Sequence, residues 1–205
     1  MGKYIKIFNN HSEYEAFKAS EDYITPNVSY CISENEVHYN PYVKPPFFCK
    51  LTLKDGSVIK LEGSGELTSA MTREYTSTVV SAEIGESCTS IGNYAFNGCS
   101  SLTNIVIQDG VTSIGKGAFS YCTDLSIINI PNSVTSIGDY VLLGCHSLTS
   151  IVCNATTAPT ITDNTFDDVK SGGTLTIPTG SSGYDTWMQN ANYYLGLYGW
   201  TKVEQ

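Results

Sequence analysis

Cys99, Cys122 and Cys145 recur every 23 residues, and a ladder of thiols is the first feature of this chain that could do chemistry. Thiolates hold soft metals or relay electrons. Metal ligands, however, must converge on one point from different directions, with histidine or carboxylate help. A periodic column instead sets each thiol over the last, where a free cysteine acts as a small buried apolar group. Val169 takes the next place in the column, so an apolar group suffices there. The chain has seven cysteines, an odd number that rules out complete internal pairing. Cα atoms on neighbouring rungs could come within disulfide reach, which leaves open whether any of them pair.

The other reactive types are scattered. His11, His38 and His146 lie far apart, in three different contexts. With a cysteine or aspartate they would make a catalytic triad only by coincidence of folding. The chain has no Gly-x-Ser-x-Gly, no His-Glu-x-x-His and no phosphate loop. Asp163, Asp167 and Asp168 cluster without the spacing of a calcium loop and are expected to form a solvated acidic face. Three short glycosylation sequons begin at Asn10, Asn27 and Asn154. No catalytic residue, cofactor or metal is expected, and the chain is not expected to be an enzyme.

What positions these residues is a repeat. Ile91, Ile114 and Ile137 keep the same 23-residue step, as do Phe96, Phe119 and Leu142. So do Leu102, Leu125 and Leu148, then Ile105, Ile128 and Ile151, then Ile107, Ile130 and Cys153. Three full copies occupy roughly 88–110, 111–133 and 134–157. Val79, Ala82 and Ile84 make half a copy upstream, and a degenerate fourth copy covers about 158–178 after a one-residue insertion. Within each copy the Ile-x-Ile segment alternates like a half-buried strand. The segment around Ala-Phe-x-x-Cys packs apolar residues at helical spacing, which predicts a short helical turn. The glycine of Ser-Ile-Gly is expected to supply a φ that other residues resist. A single unit cannot bury its apolar side, whereas stacked units share one core.

These columns resemble the BspA-type leucine-rich repeats. The resemblance rests on Thr89-Ser90-Ile91-Gly92-Asn93-Tyr94-Ala95-Phe96, Cys99, and Leu102 through Ile107, with their next copies. The third copy departs, with Val141-Leu142 for Ala-Phe and Cys153 for the second Ile, both still apolar. The match covers about 79–178. It implies an α+β leucine-rich-repeat solenoid, with a short strand and a short helical turn per repeat. It also implies a non-catalytic bacterial protein of the cell surface, or a secreted one, that works in adhesion or binding. Fold alone does not establish that role.

Residues 1–66 predict a small α+β N-terminal domain that covers one open end of the solenoid. Strands are expected at Tyr4–Phe8, Asn27–Cys31 and Val37–Tyr39, with a capped helix from Asn10 or Ser12 through Ala19. A hairpin is expected around Asp55-Gly56. Residues 67–205 are expected to hold the solenoid, opened by a helix over Thr68–Tyr75 and ended by a C-terminal cap over 179–205. The cap would bury aromatics that could otherwise stack on sugars. Because Tyr193 and Tyr194 are adjacent, one of them is expected to be exposed.

The formal net charge of −9 disfavours nucleic acid and anionic lipid, both of which attract cationic surfaces. No run approaches the roughly 18–20 apolar residues of a membrane span. No signal peptide is legible in Met1–Asn10. If Ile105 and Ile107 point inward, their neighbours point out. The candidate partner-binding face is then Glu83, Asn104, Val106, Ile127, Asn129, Ser150, Val152, Thr174 and Thr176. It is nearly uncharged, with exposed aliphatics, and would suit a protein or glycan ligand. The alternative is a structural component of a surface appendage or phage-like particle.

Overall fold

The computed structural model describes residues 47–205 throughout, and before them the strands β1 (Tyr4–Phe8), β2 (Val28–Ile32) and β3 (Val37–Tyr39). The chain divides into two units, Met1–Pro46 and Phe47–Gln205. In the first, β1 pairs parallel with β2, and β2 antiparallel with β3. The expected helix over 10–19 lies outside the described residues.

The second unit is a β-solenoid of about six coils, and its 23-residue period sets the strand register. On one side lie β7 (Val79–Ile84) and β9 (Asn104–Ile107), followed by β11 (Ile127–Ile130), β13 (Ser150–Cys153), β14 (Thr174–Ile177) and β15 (Thr201–Glu204). Ile127 faces Ser150, 23 residues on, while Ser150 faces Thr174, 24 on, which places the one-residue insertion between β13 and β14. These strands form two parallel ladders that abut at β9 and β11. A second side stacks β6 (Gly65–Leu67), β8 (Cys88–Ile91), β10 (Ser113–Ile114) and β12 (Ser136–Ile137), again in parallel.

The columns share one interior. Ile91, Phe96, Cys99, Leu102 and Ile105 are all buried, as are their counterparts one and two coils on. Phe96 and Phe119 stack with ring centroids 5.7 Å apart at 15°. This is the dry stack that the periodicity predicts.

Three expectations change. The division between units falls between Pro46 and Phe47, earlier than the expected boundary at 66. The hairpin of β4 (Cys49–Leu53) and β5 (Val58–Leu61) turns at Asp55-Gly56 as expected, with Gly56 at φ +84°. It then pairs antiparallel with β7, so it extends the solenoid sheet. Its own alternation carried no 23-residue signal that could assign it there.

The short helical turns are also absent from the third side of the coils. Ala95, Asn97 and Cys99 donate N–H bonds three residues back, to Gly92, Tyr94 and Phe96. The alternate residues Tyr94, Phe96 and Gly98 donate instead to Lys116, Ala118 and Ser120 of the next coil. An α-helix would spend every N–H inside its own turn; here half of them bind the neighbouring coil. The expected helix over 68–75 is one α turn, α1 (Ser69–Thr72), continued as a 3-10 turn at Arg73–Tyr75.

The third change concerns Ser-Ile-Gly. Gly92, Gly115 and Gly138 do not have positive φ. They are needed because the coils approach there. A Cβ on Gly115 would stand 2.7 Å from Asn93 N, and one on Gly138 would stand 2.8 Å from Lys116 N. Left-handed backbone at the turns of the three full copies falls instead at Tyr94, Gly98, Gly117, Tyr121, Tyr140 and Gly144, and Asp168 continues it in the fourth.

Candidate functional site

The outward face of the β7–β15 side carries the predicted contact residues in register. Ser81 lies beside Asn104, Glu83 beside Val106, Ile127 beside Ser150, and Asn129 beside Val152. Asn104, Val106, Ile127 and Asn129 are exposed, whereas Glu83, Ser150, Val152 and Thr174 are half-buried. Val106 and Ile127 are large apolar groups open to solvent, at 39% and 48%, and they lie on the strands where the two ladders meet. Thr176 departs from the expectation: only 8% of it is exposed. It faces outward between Val152 and Val203, which flank it in register and close over it. The face therefore opens on β9 and β11 and closes towards β14.

Two residues outside the repeat also belong to this side. Lys50 on β4 lies beside Glu83, with a 3.2 Å ion pair, and its ammonium lies 4.1 Å from the centre of the Phe47 ring. Val203 on β15 is 43% exposed. Neither keeps a 23-residue step, so periodicity could not find them.

The reactive side chains sort differently. Six cysteines among the described residues are buried free thiols. The Cys122 thiol donates to the Phe96 carbonyl and the Cys145 thiol to the Phe119 carbonyl, each at 3.2 Å, so each thiol reaches back one coil. Burial pushes Cys99 and Cys145 up to about 12, and burial pushes Cys122 well above the usual thiol range. A group with its pKa raised by folding stabilises the fold fully below its unfolded pKa, and that contribution fades as pH rises towards the folded value. We expect the six buried thiols among the described residues not to react with a thiol reagent at pH 8 until the chain unfolds. We also expect the urea midpoint to fall above about pH 8.5, where free thiols ionise. Cys145→Val, which mimics Val169, should fall less steeply; an equal slope would assign the loss to other groups.

His146 and Asp168 form an exposed pair at 3.2 Å. The side chains of His11 and His38 lie outside the described residues. The acidic cluster is structural. Asp163 accepts hydrogen bonds from the Asn192 amide at 3.0 Å and the Tyr194 hydroxyl at 2.9 Å. The Asp168 backbone N–H donates to the Tyr198 hydroxyl. These contacts tie residues 192–198 to the fourth coil. Tyr184, Trp187, Tyr194 and Trp200 are buried, while Tyr193 is 43% exposed. Among the described residues no three His, Cys, Asp or Glu side chains are grouped to hold a metal, and no helix is long and apolar enough to cross a membrane.

The family model described as BspA type leucine-rich repeat region matches residues 74–191, in six copies. No curated protein matches the chain.

Proposed function

The chain belongs to the BspA-type leucine-rich repeat family, and from that premise we propose that it is a non-catalytic recognition module that binds a protein partner through the outward face of β9 and β11. The observation that carries this reading is the exposed pair Val106 and Ile127, set among the uncharged amides of Asn104 and Asn129. Solvated sheet faces usually carry charge, and exposed aliphatics ringed by polar groups are what a partner desolvates. Glu83, Ser150, Val152 and Thr174 form the rim. Residues 179–205 serve as the cap that keeps the last core layer from water. Adhesion is the use that such a module most readily serves.

The test is a solid-phase screen of purified extracellular-matrix proteins against the full chain and the double variant Val106→Asp/Ile127→Asp. Both positions are exposed, so stability should stay within roughly 0.5–1 kcal/mol. Affinity for the captured partner should fall at least about tenfold, the loss of one desolvated anchor. A partner held equally by both proteins would move the site off this face.

A further inference from the structure

The last strand, β15, leaves one edge open. It ends the ladder β11-β13-β14-β15, and among the described residues no strand pairs with its far side. The Thr201 and Gln205 N–H groups donate to the Gly173 and Ile177 carbonyls, and the Gln205 carbonyl accepts from the Thr179 N–H. Backbone groups alternate in direction along a strand. Those of Thr201, Val203 and Gln205 therefore serve β14, and those of Lys202 and Glu204 point out of the ladder. An unpaired row of this kind is a template for another strand. All four residues of β15 are exposed, Val203 at 43%.

The side chains on this edge complement their own copy. Val203 lies beside Thr176 on the outward face, while Lys202 and Glu204 lie beside Leu175 and Ile177 on the opposite face. The Lys202 ammonium pairs with the Asp185 carboxylate at 3.1 Å, and a Glu204 carboxylate oxygen accepts the Gly180 N–H at 3.4 Å. An ammonium has three donors and a carboxylate about four acceptor sites, so both retain capacity. Charges on an edge ordinarily repel a second strand. Here opposite charges flank one valine, and a strand run antiparallel to its own copy about that valine sets Lys202 against Glu204 on both sides of it. The β5 edge at the other end of this side, Val58–Leu61, carries Lys60 and no acidic residue, so it offers itself no such match.

We propose that β15 is a dimerisation edge, through which two copies of this chain pair antiparallel about Val203. Lys202 of each copy exchanges both backbone bonds with Glu204 of the other, and their side chains meet as opposite charges. The two Val203 residues face each other as the closer, non-hydrogen-bonded pair, with Cα atoms about 4.5 Å apart, and cover one another. A slip of two residues sets Lys202 on Lys202 or Glu204 on Glu204, so charge fixes the register. The two ladders become one continuous sheet. Both outward faces lie on one side of it, since the two-fold axis of an antiparallel pair stands perpendicular to the sheet. Contact along one short strand is smaller than a permanent dimer needs, so association is reversible. The net charge of −9 on each copy opposes it at a distance, and salt screens that repulsion over the roughly 8 Å Debye length of physiological buffer. The pairing does not depend on what the β9–β11 face binds.

The test is sedimentation equilibrium of the full chain, with reductant and physiological salt, from micromolar to millimolar concentration. The average mass should climb with concentration towards twice that of one chain. Lys202→Glu alone and Glu204→Lys alone place like charges in register, and each should weaken association at least about tenfold. The double variant Lys202→Glu/Glu204→Lys restores the match and should associate as wild type does. Melting followed by circular dichroism should stay near wild type for all three, because the substituted residues are exposed. The mass of one chain at every concentration would overturn the proposal and leave the edge to the strand of another protein. Growth beyond two chains would overturn it by joining unlike edges. A dimer that ignores the single exchanges, or that the double exchange does not recover, would overturn it by placing the contact elsewhere.

Discussion

Phe119→Ala is expected to destabilise the repeat unit by about 3–5 kcal/mol, the cost of truncating a fully buried aromatic. Phe119 is 0% exposed and sits in the middle coils, stacked on Phe96 and followed in its column by Leu142. The neighbours cannot collapse into the space. Each coil is held at its own height by hydrogen bonds to the next, such as Phe96 N–H to the Ala118 carbonyl and Phe119 N–H to the Val141 carbonyl. A void in one layer therefore remains a void, and the loss of the Phe96 stacking adds to it. Because a solenoid is stabilised by contacts between neighbouring repeats, damage in a central layer weakens the coils on both sides. Phe119→Leu, which restores the third copy's residue, should cost less than about 1.5 kcal/mol. Urea unfolding followed by circular dichroism measures both. An alanine variant within about 0.5 kcal/mol of wild type, the behaviour of a surface position, would mean that the column is not the core.

Trp187→Ala is expected to cost a similar 3–5 kcal/mol, but to act locally at one end. Trp187 is 1% exposed and packs 5.2 Å from Phe166 and 5.1 Å from Tyr184, ring centre to ring centre. Its indole N–H donates to the Pro159 carbonyl at 3.3 Å. Truncation would leave that carbonyl unpaired and open the last core layer to water. Hydrogen exchange should show the loss of protection concentrated in residues 158–204, with 88–150 much less affected. Uniform loss across all coils would show that the C-terminal aromatics support the whole stack instead of closing its end.

The stack itself was legible in one dimension. Burial is a yes-or-no property that recurs wherever the chain completes a coil, so the columns of Ile91, Phe96, Cys99 and Leu102 reported the solenoid, its register and the fate of its thiols directly. The alternation around Ile105 likewise told inside from outside on each strand. Its error was Thr176, which faces outward but is covered by Val152 and Val203 from strands on either side. Residues 24 and 27 positions away in the chain made that cover, and local alternation does not see them.

The same physics explains the other differences. Apolar spacing in Ala-Phe-x-x-Cys gives the same signal whether the N–H groups bond within the turn or to the next coil, and the neighbouring backbone settles which. Gly115 looks from its sequence like a conformational hinge, yet what requires glycine there is Asn93 of the preceding coil, 2.7 Å from where a Cβ would be. Tyr94 and Tyr121, at positive φ, carry no local mark at all: their rings lie where the next coil has glycine, Gly117 and Gly144. Periodicity records what is buried, and that is set by the coil's own geometry. Which backbone groups meet, and which side chains remain open to a partner, depends on coils brought together from far along the chain.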